Sequence, residues 1–155
     1  MKNLIGLNQK EADSLANKLN LLLADYQLYY QNLRGFHWNI KGNQFFELHA
    51  KFEELYTDAQ VSIDEIAERI LTLGVTPLHT FSSYLKVTTI EEQKDISDGK
   101  SAVNATLEAL QSIIEKERGI MNKASDIDDE GTATLISDYI TKQEKVVWML
   151  GAYLK

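Results

Sequence analysis

From Asn43 to Leu73 the chain carries no proline and no glycine, and its apolar residues fall at Phe45, Phe46, Leu48, Phe52, Leu55, Ala59, Ile63, Ile66 and Ile70. A helical period kept for about seven turns specifies one element, a long amphipathic α-helix. The polar side of that helix is as informative as the apolar one. With His49 as angular zero and about 100° per residue, Glu53 falls at about 40°, Asp64 at about 60° and Glu68 at about 100°. Four potential metal ligands therefore share one stripe. His49 with Glu53, and Asp64 with Glu68, are i,i+4 pairs whose side chains lie one turn apart.

Axial rise divides the stripe in two. His49 and Asp64 are separated by about 22 Å, and Glu53 and Asp64 by about 16 Å, at about 1.5 Å per residue. A single metal ion with bonds of about 2.0–2.2 Å cannot span such gaps. His37 belongs with the first half, because it precedes the turn at Gly42–Asn43 by about as much as His49 follows it. An antiparallel helix hairpin then brings the two imidazoles to similar height. One half is nitrogen-rich (His37, His49, with Glu53 nearby) and the other holds only carboxylates (Asp64, Glu68). Two-fold pairing of identical chains would lay one half over the other. Carboxylates at this spacing most often form a solvated face, and a His–Trp pair at a helix end is most often a cap or a packing pair. Spacing alone leaves both readings standing.

A chain of 155 residues suits one domain, spanning 1–155, with a core that needs no staples. Cysteine is absent, which excludes thiol catalysis, disulfides and thiolate metal sites and fits a reducing cytoplasm. No apolar run suits a signal peptide or approaches the roughly 18 residues of a membrane span, so a cytoplasmic protein without membrane contact is expected. The net charge of −7 opposes a phosphate backbone unless a basic arm compensates. The first ten residues supply only Lys2 and Lys10, and the C-terminus only Lys155.

Taken in order, Asn8 with Glu11 reads as a capping box opening a first helix, apolar at Leu15, Leu19, Leu22, Leu23, Tyr26, Tyr29, Tyr30 and Leu33. This helix is expected to end near Gly35–Trp38, and the second to end at Leu73–Gly74, with Pro77 forbidding continuation. Residues 75–97 are too long for a simple turn, and Thr89 with Glu92 offers a second capping box, predicting a short helix near 89–95 inside a crossover. His79 lies there without acidic or histidine neighbours at ligand spacing and reads as a surface or packing residue. A third helix is expected over about Asp98 to Ala124, then an acidic loop SDIDDEG, then a fourth helix over about Thr132 to Tyr153. Four helices with one long crossover between the second and third predict an all-α, ferritin-like four-helix bundle.

FHWNIKGNQFFELHAKFEELY, DEIAERI, GTATLISDYI and the EKVVWMLGAYL ending together resemble the Dps family (DNA protection during starvation proteins, or mini-ferritins) over nearly the whole chain. The motif is specific: a histidine, a second histidine twelve residues on, and Asp-x-x-x-Glu fifteen residues after that. The resemblance implies oxidation of Fe(II), usually with hydrogen peroxide although dioxygen is also an oxidant, at sites between two-fold-related subunits. It implies storage of the ferric product in a hollow homo-dodecamer. By position, His37 and His49 would come from one subunit and Asp64 and Glu68 from its partner. Glu53 stands where the family often has another acidic ligand, usually Asp. Trp38 is similar to a family tryptophan suggested to take part in electron transfer.

Other ferritin-like di-iron bundles build the site within one subunit from Glu-x-x-His pairs. Here Arg34, Phe46 and Thr76 stand three residues before the histidines, so that motif is missing. Two departures from the Dps pattern also matter. Thr134 stands where many members carry a pore-lining Asp, leaving Asp126, Asp128, Asp129, Glu130 or Asp138 to supply acidity. The lysine-rich extension of DNA-binding members is absent, so DNA binding is expected to be weak or nil.

Two imidazoles and a few carboxylates suit Fe(II), and zinc as a substitute accepts the same donors. A second ferrous ion bridged by Glu68 would let two electrons reach peroxide in one step. Three readings follow: an iron-oxidising and iron-storing mini-ferritin acting as a ferroxidase, a nucleoid-binding protein with secondary iron chemistry, and a bundle that only assembles around an inert or zinc-filled site. The first is the reading favoured here.

Overall fold

The computed structural model describes every residue from Met1 to Lys155. Five helices follow one another: α1 (Gln9–Asn39), α2 (Phe45–Thr72), α3 (Phe81–Val87), α4 (Gly99–Asp126) and α5 (Glu130–Tyr153). The only β feature is an isolated bridge between Lys2 and Asn8.

Each boundary has a local cause. Asn8 accepts from the backbone N–H of Glu11 at 3.3 Å, but the Glu11 carboxylate turns away to pair with Lys123, so only half of the expected capping box forms. At the other end of the first hairpin half, α2 stops in a Schellman arrangement. The Val75 N–H bonds Ile70 O at 3.1 Å and the Gly74 N–H bonds Leu71 O at 2.9 Å. Gly74 sits at φ +95°, where a side chain would strain the backbone, and Gly42 does the same between α1 and α2 at φ +114°. Asp129 caps α5 by accepting from the Thr132 N–H at 3.1 Å.

Side-chain pairs fix the directions of the helices. Glu11 meets Lys123 and Tyr26 meets Glu117, so α1 and α4 are antiparallel. Asp58 meets Lys142 and Arg69 meets Thr132, so α2 and α5 are antiparallel as well. The order is therefore up, down, down, up, which requires the long crossover between α2 and α4 and matches the ferritin-like arrangement. Tyr26, Phe52, Leu15, Leu19, Ile66, Ile70, Leu110 and Ile113 fill the centre and are fully buried. No helix is long and apolar enough to cross a membrane.

The crossover departs from expectation. Its short helix lies at Phe81–Val87, capped by Thr80, and not near 89–95. Thr88 ends that helix, and Thr89 caps none, because its hydroxyl accepts from Lys116 and, with its backbone N–H at 2.8 Å, turns to buried Asp25. Polar side chains of α1 hold the segment in place. Asn20 accepts from the Leu78 N–H at 2.8 Å, and Asn32 accepts from the Gln93 N–H at 3.0 Å while donating to Glu91 O at 2.8 Å. The expected acidic loop also shrinks: α4 runs to Asp126 and α5 starts at Glu130, leaving three residues between them.

Candidate metal centre

His37 sits near the C-terminal end of α1 and His49 in the second turn of α2, on either side of the Gly42 turn. Their rings stack with centroids 3.8 Å apart and 13° between planes. The Nδ1 of His37 lies 2.7 Å from His49 O, and the Nδ1 of His49 lies 2.8 Å from His37 O. A backbone carbonyl only accepts, so both Nδ1 atoms must donate. The tautomer is thereby set, and each Nε2 keeps its lone pair for a metal ion. A histidine ligand whose other nitrogen donates to a carbonyl is the customary outer-shell arrangement of metal sites.

Aromatic rings brace the pair from both sides. Phe45 stacks on His49 with centroids 4.9 Å apart and 20° between planes, and Tyr56 meets His37 edge-on at 5.3 Å. Beneath them Phe36 packs on Phe52 at 5.4 Å. His37 is buried and His49 half-buried, which leaves them little freedom to turn. Trp38, beside the pair, is exposed, and the Arg34 guanidinium stands 4.8 Å over its ring.

The acidic candidates are placed differently. Glu53, Asp64 and Glu68 are all exposed on α2. None of their carboxylates has a hydrogen-bond or ion-pair partner within the chain, in contrast to Glu54 with Lys51 or Asp58 with Lys142. Glu53 lies one turn beyond His49 on the same helix, whereas Asp64 and Glu68 lie about four and five turns from His49, about 22 Å and more along the axis. Nowhere in the chain do three or more histidine and carboxylate groups gather closely enough to hold an ion. The fold thus unites His37 with His49 and keeps Asp64 and Glu68 apart from them. The donors that are united, two imidazole nitrogens, suit a ferrous ion only when further oxygen ligands join them. His79 is exposed and bonded to Pro77 O at 2.9 Å, away from this cluster.

One constellation was not singled out by reading the sequence. Arg69 of α2 donates to Asp129 at 2.6 Å and to Thr132 at 2.8 Å, holding the start of α5. Asp129 is 3% exposed, so it is withdrawn from the set of residues offered for a solvent-facing acidic pore. Its signal was the N-cap spacing of Asp129 and Thr132, hidden inside a run that read as a loop.

A protein-family model for a ferritin-like domain matches residues 16–155. A "DNA protection during starvation protein" of Porphyromonas gingivalis is 45% identical over 148 residues, covering 96% of this chain and 93% of the relative. An uncharacterised protein of Haemophilus influenzae is 50% identical over 151 residues, covering 97% and 94%. Among solved structures, the Dps protein of Vibrio cholerae, described as a member of a broad superfamily of ferritin-like diiron-carboxylate proteins, superposes with a TM-score of 0.98. It is 54% identical, with 99% of this chain and 97% of that one covered.

Proposed function

This chain belongs to the Dps family of ferritin-like proteins, and on that footing we propose that it is a ferroxidase that oxidises Fe(II) and stores the ferric product inside a closed homo-oligomer, a dodecamer. Iron is here the substrate and cargo. The whole chain acts as one such unit, in the cytoplasm, and limits oxidative damage by consuming peroxide together with ferrous iron.

The observation that carries this reading is the reciprocal clamp of His37 and His49, set against the unpartnered acids of the same helix. Each Nδ1 is held by a carbonyl and each Nε2 is left free to ligate. The two imidazoles are held in fixed orientation, while Asp64 and Glu68 are exposed without any internal partner. A second copy related by a two-fold axis completes both halves twice over. His37 and His49 of one copy, aided by Glu53, would take a ferrous ion that Asp64 and Glu68 of the other also ligate. So sparse a set of ligands leaves coordination room for peroxide or dioxygen. Two ferrous ions near one peroxide supply its two electrons together, so hydroxyl radical is not released.

The test is oxidation of Fe(II) by the assembled protein. Anaerobic protein loaded with Fe(II) and given hydrogen peroxide should form ferric absorbance faster than the same iron in buffer, with about two ferrous ions consumed per peroxide. Oxidation no faster than in buffer, or hydroxyl-radical adducts equal to those of free iron, would overturn the proposal.

A further inference from the structure

Far from the histidine pair, the centre of the bundle holds a second polar cluster that iron chemistry does not use. Glu117 of α4 is fully buried, as is Tyr26 of α1, and Gln143 of α5 is 7% exposed. The Tyr26 hydroxyl donates to Glu117 Oε1 at 2.6 Å. The Gln143 amide nitrogen donates both to the Tyr26 oxygen and, at 3.2 Å, to Glu117 Oε1. Two oxygens remain buried with no partner at all, Glu117 Oε2 and Gln143 Oε1.

Both orphans are acceptors, so what the cluster lacks is a hydrogen. A carboxylic acid and a primary amide pair reciprocally, with N–H donating to one carboxyl oxygen and the other oxygen's O–H donating to the amide carbonyl. The first of those bonds is present at 3.2 Å, and the orphans are the two atoms of the second. If Glu117 were ionised, two buried acceptor oxygens would be left without any hydrogen to accept.

Charge balance points the same way. The groups facing the cluster are Tyr26 and Tyr29 on α1, Tyr139, Lys142 and Gln143 on α5, and Arg118 on α4 itself. Asp58 and Glu65 of α2 act on the neighbouring tyrosines and add only negative charge. The two cations are already engaged, Lys142 with Asp58 at 2.6 Å and Arg118 with Glu144 at 2.7 Å. A divalent metal in place of a proton would need further anionic ligands, and no group of three such residues exists here.

We propose that Glu117 is a neutral carboxylic acid that donates its Oε2 proton to Gln143 Oε1, making Tyr26, Glu117 and Gln143 a proton-operated latch across α1, α4 and α5. Burial, the largest influence, pushes the Glu117 carboxyl up to about 7, against the opposing pull of the Tyr26 and Gln143 hydrogen bonds and then of Lys142 and Arg118. The latch is closed in mildly acidic surroundings and opens as pH rises through neutrality. The direction of the linkage follows. Between the ordinary value of 4.5 and about 7, the folded chain holds a proton that the unfolded chain has lost. Across that window the unfolding equilibrium moves toward the unfolded state by about tenfold per pH unit from this group, and the effect levels off above it.

The test compares the assembled wild-type protein with Glu117→Gln, whose amide N–H replaces the acid O–H toward Gln143 without a charge. Denaturant unfolding of the two should coincide at about pH 5 and diverge as pH rises, with the variant the more stable by about a hundredfold at about pH 8. In infrared spectra of wild-type protein alone, a protonated-carboxyl carbonyl band, absent from the variant, should disappear between mildly acidic and mildly alkaline pH. Parallel pH profiles, or no such band in the acid range, would overturn the proposal. So would stabilisation of the wild type, but not of the variant, by sodium or magnesium ions, since the orphan oxygens would then hold a cation.

Discussion

His37 and His49 lock one another in place: their rings lie face to face at 3.8 Å, and each Nδ1–H is held by the other's backbone carbonyl. The pair is at once the closure of the α1–α2 hairpin and half of the proposed iron site. These two roles can be separated by substitution. His49→Ala removes a proposed ligand and also orphans the His37 carbonyl, so it should abolish rapid ferrous oxidation and lower stability by about 1–3 kcal/mol. His49→Asn retains an N–H near the Nδ1 position and should recover much of that stability while staying inactive. Denaturant unfolding and the iron oxidation assay, run side by side, read the two effects. Equal loss of stability in both variants would show that the Nδ1 bond contributes nothing.

Gly131 owes its identity to Arg69. A Cβ at position 131 would stand 2.8–2.9 Å from the guanidinium atoms, which are themselves anchored on Asp129 and Thr132. Gly131→Ala must therefore displace an arginine that neutralises a buried carboxylate. A loss of about 1–3 kcal/mol is expected, as for overpacking that shifts an ion pair without removing either partner, measured by equilibrium unfolding. In an Arg69→Ala background the same substitution should cost far less, because the obstruction is gone. Additive losses in the double variant would contradict this account.

Asp25 is the peg on which the crossover hangs. Its fully buried carboxylate accepts from the Thr88 hydroxyl and the Thr89 N–H, each at 2.8 Å, and pairs with Lys116 of α4. Asp25→Ala leaves those donors unsatisfied and should lower stability by about 3–5 kcal/mol. Amide hydrogen exchange should speed up first at Thr89 and Ile90, the segment the carboxylate holds, and later in α2 or α5. Uniform acceleration over the chain would mean that the peg supports the whole bundle equally.

What could be read beforehand divides along a physical line. Long elements were legible because burial repeats with the helical period: Phe52, Leu55, Ala59, Ile66 and Ile70 announce α2 and are buried in it. The half-site division needed only helical rise, and the pairing of His37 with His49 only hairpin symmetry about Gly42. The crossover was not legible, because its course is set by tertiary bonds to Asn20, Asp25 and Asn32, residues that look like ordinary polar positions of α1. Thr89 carried a genuine capping signature, yet its hydroxyl and N–H were claimed by Asp25, sixty-four residues away. The Glu117 cluster was invisible for the same reason, since its three members come from three helices.

DNA should bind weakly or not at all near neutral pH at physiological salt. The motivating facts are the net charge of −7 and a first segment turned back on the start of α1, where the Gln9 N–H bonds Met1 O at 3.0 Å and Lys2 bridges Asn8. That segment carries only two lysines up to residue 10 and does not form a basic arm. Gel-shift assays over a salt series provide the check. Tight binding of linear duplex with a steep salt slope would reveal a basic surface created by assembly.

The proposed sharing of the iron site between two chains can be tested by complementation. One variant carries His37→Ala and His49→Ala, the other Asp64→Ala and Glu68→Ala. Each assembled alone should lack rapid oxidation, because every site is missing one half. After disassembly and co-assembly, each mixed two-fold interface contains one site damaged in both halves. Its other site joins the intact histidines of the acid-less chain to the intact acids of the histidine-less chain. Activity should therefore return on mixing and approach about a quarter of the unsubstituted level when assembly is random. Asp64 and Glu68 are exposed and make no internal bonds, so their removal should leave folding unaffected, which keeps the comparison clean. A site completed within one chain predicts no recovery at any mixing ratio. That outcome, with co-assembly verified by differently tagged chains, would refute the division of ligands between copies.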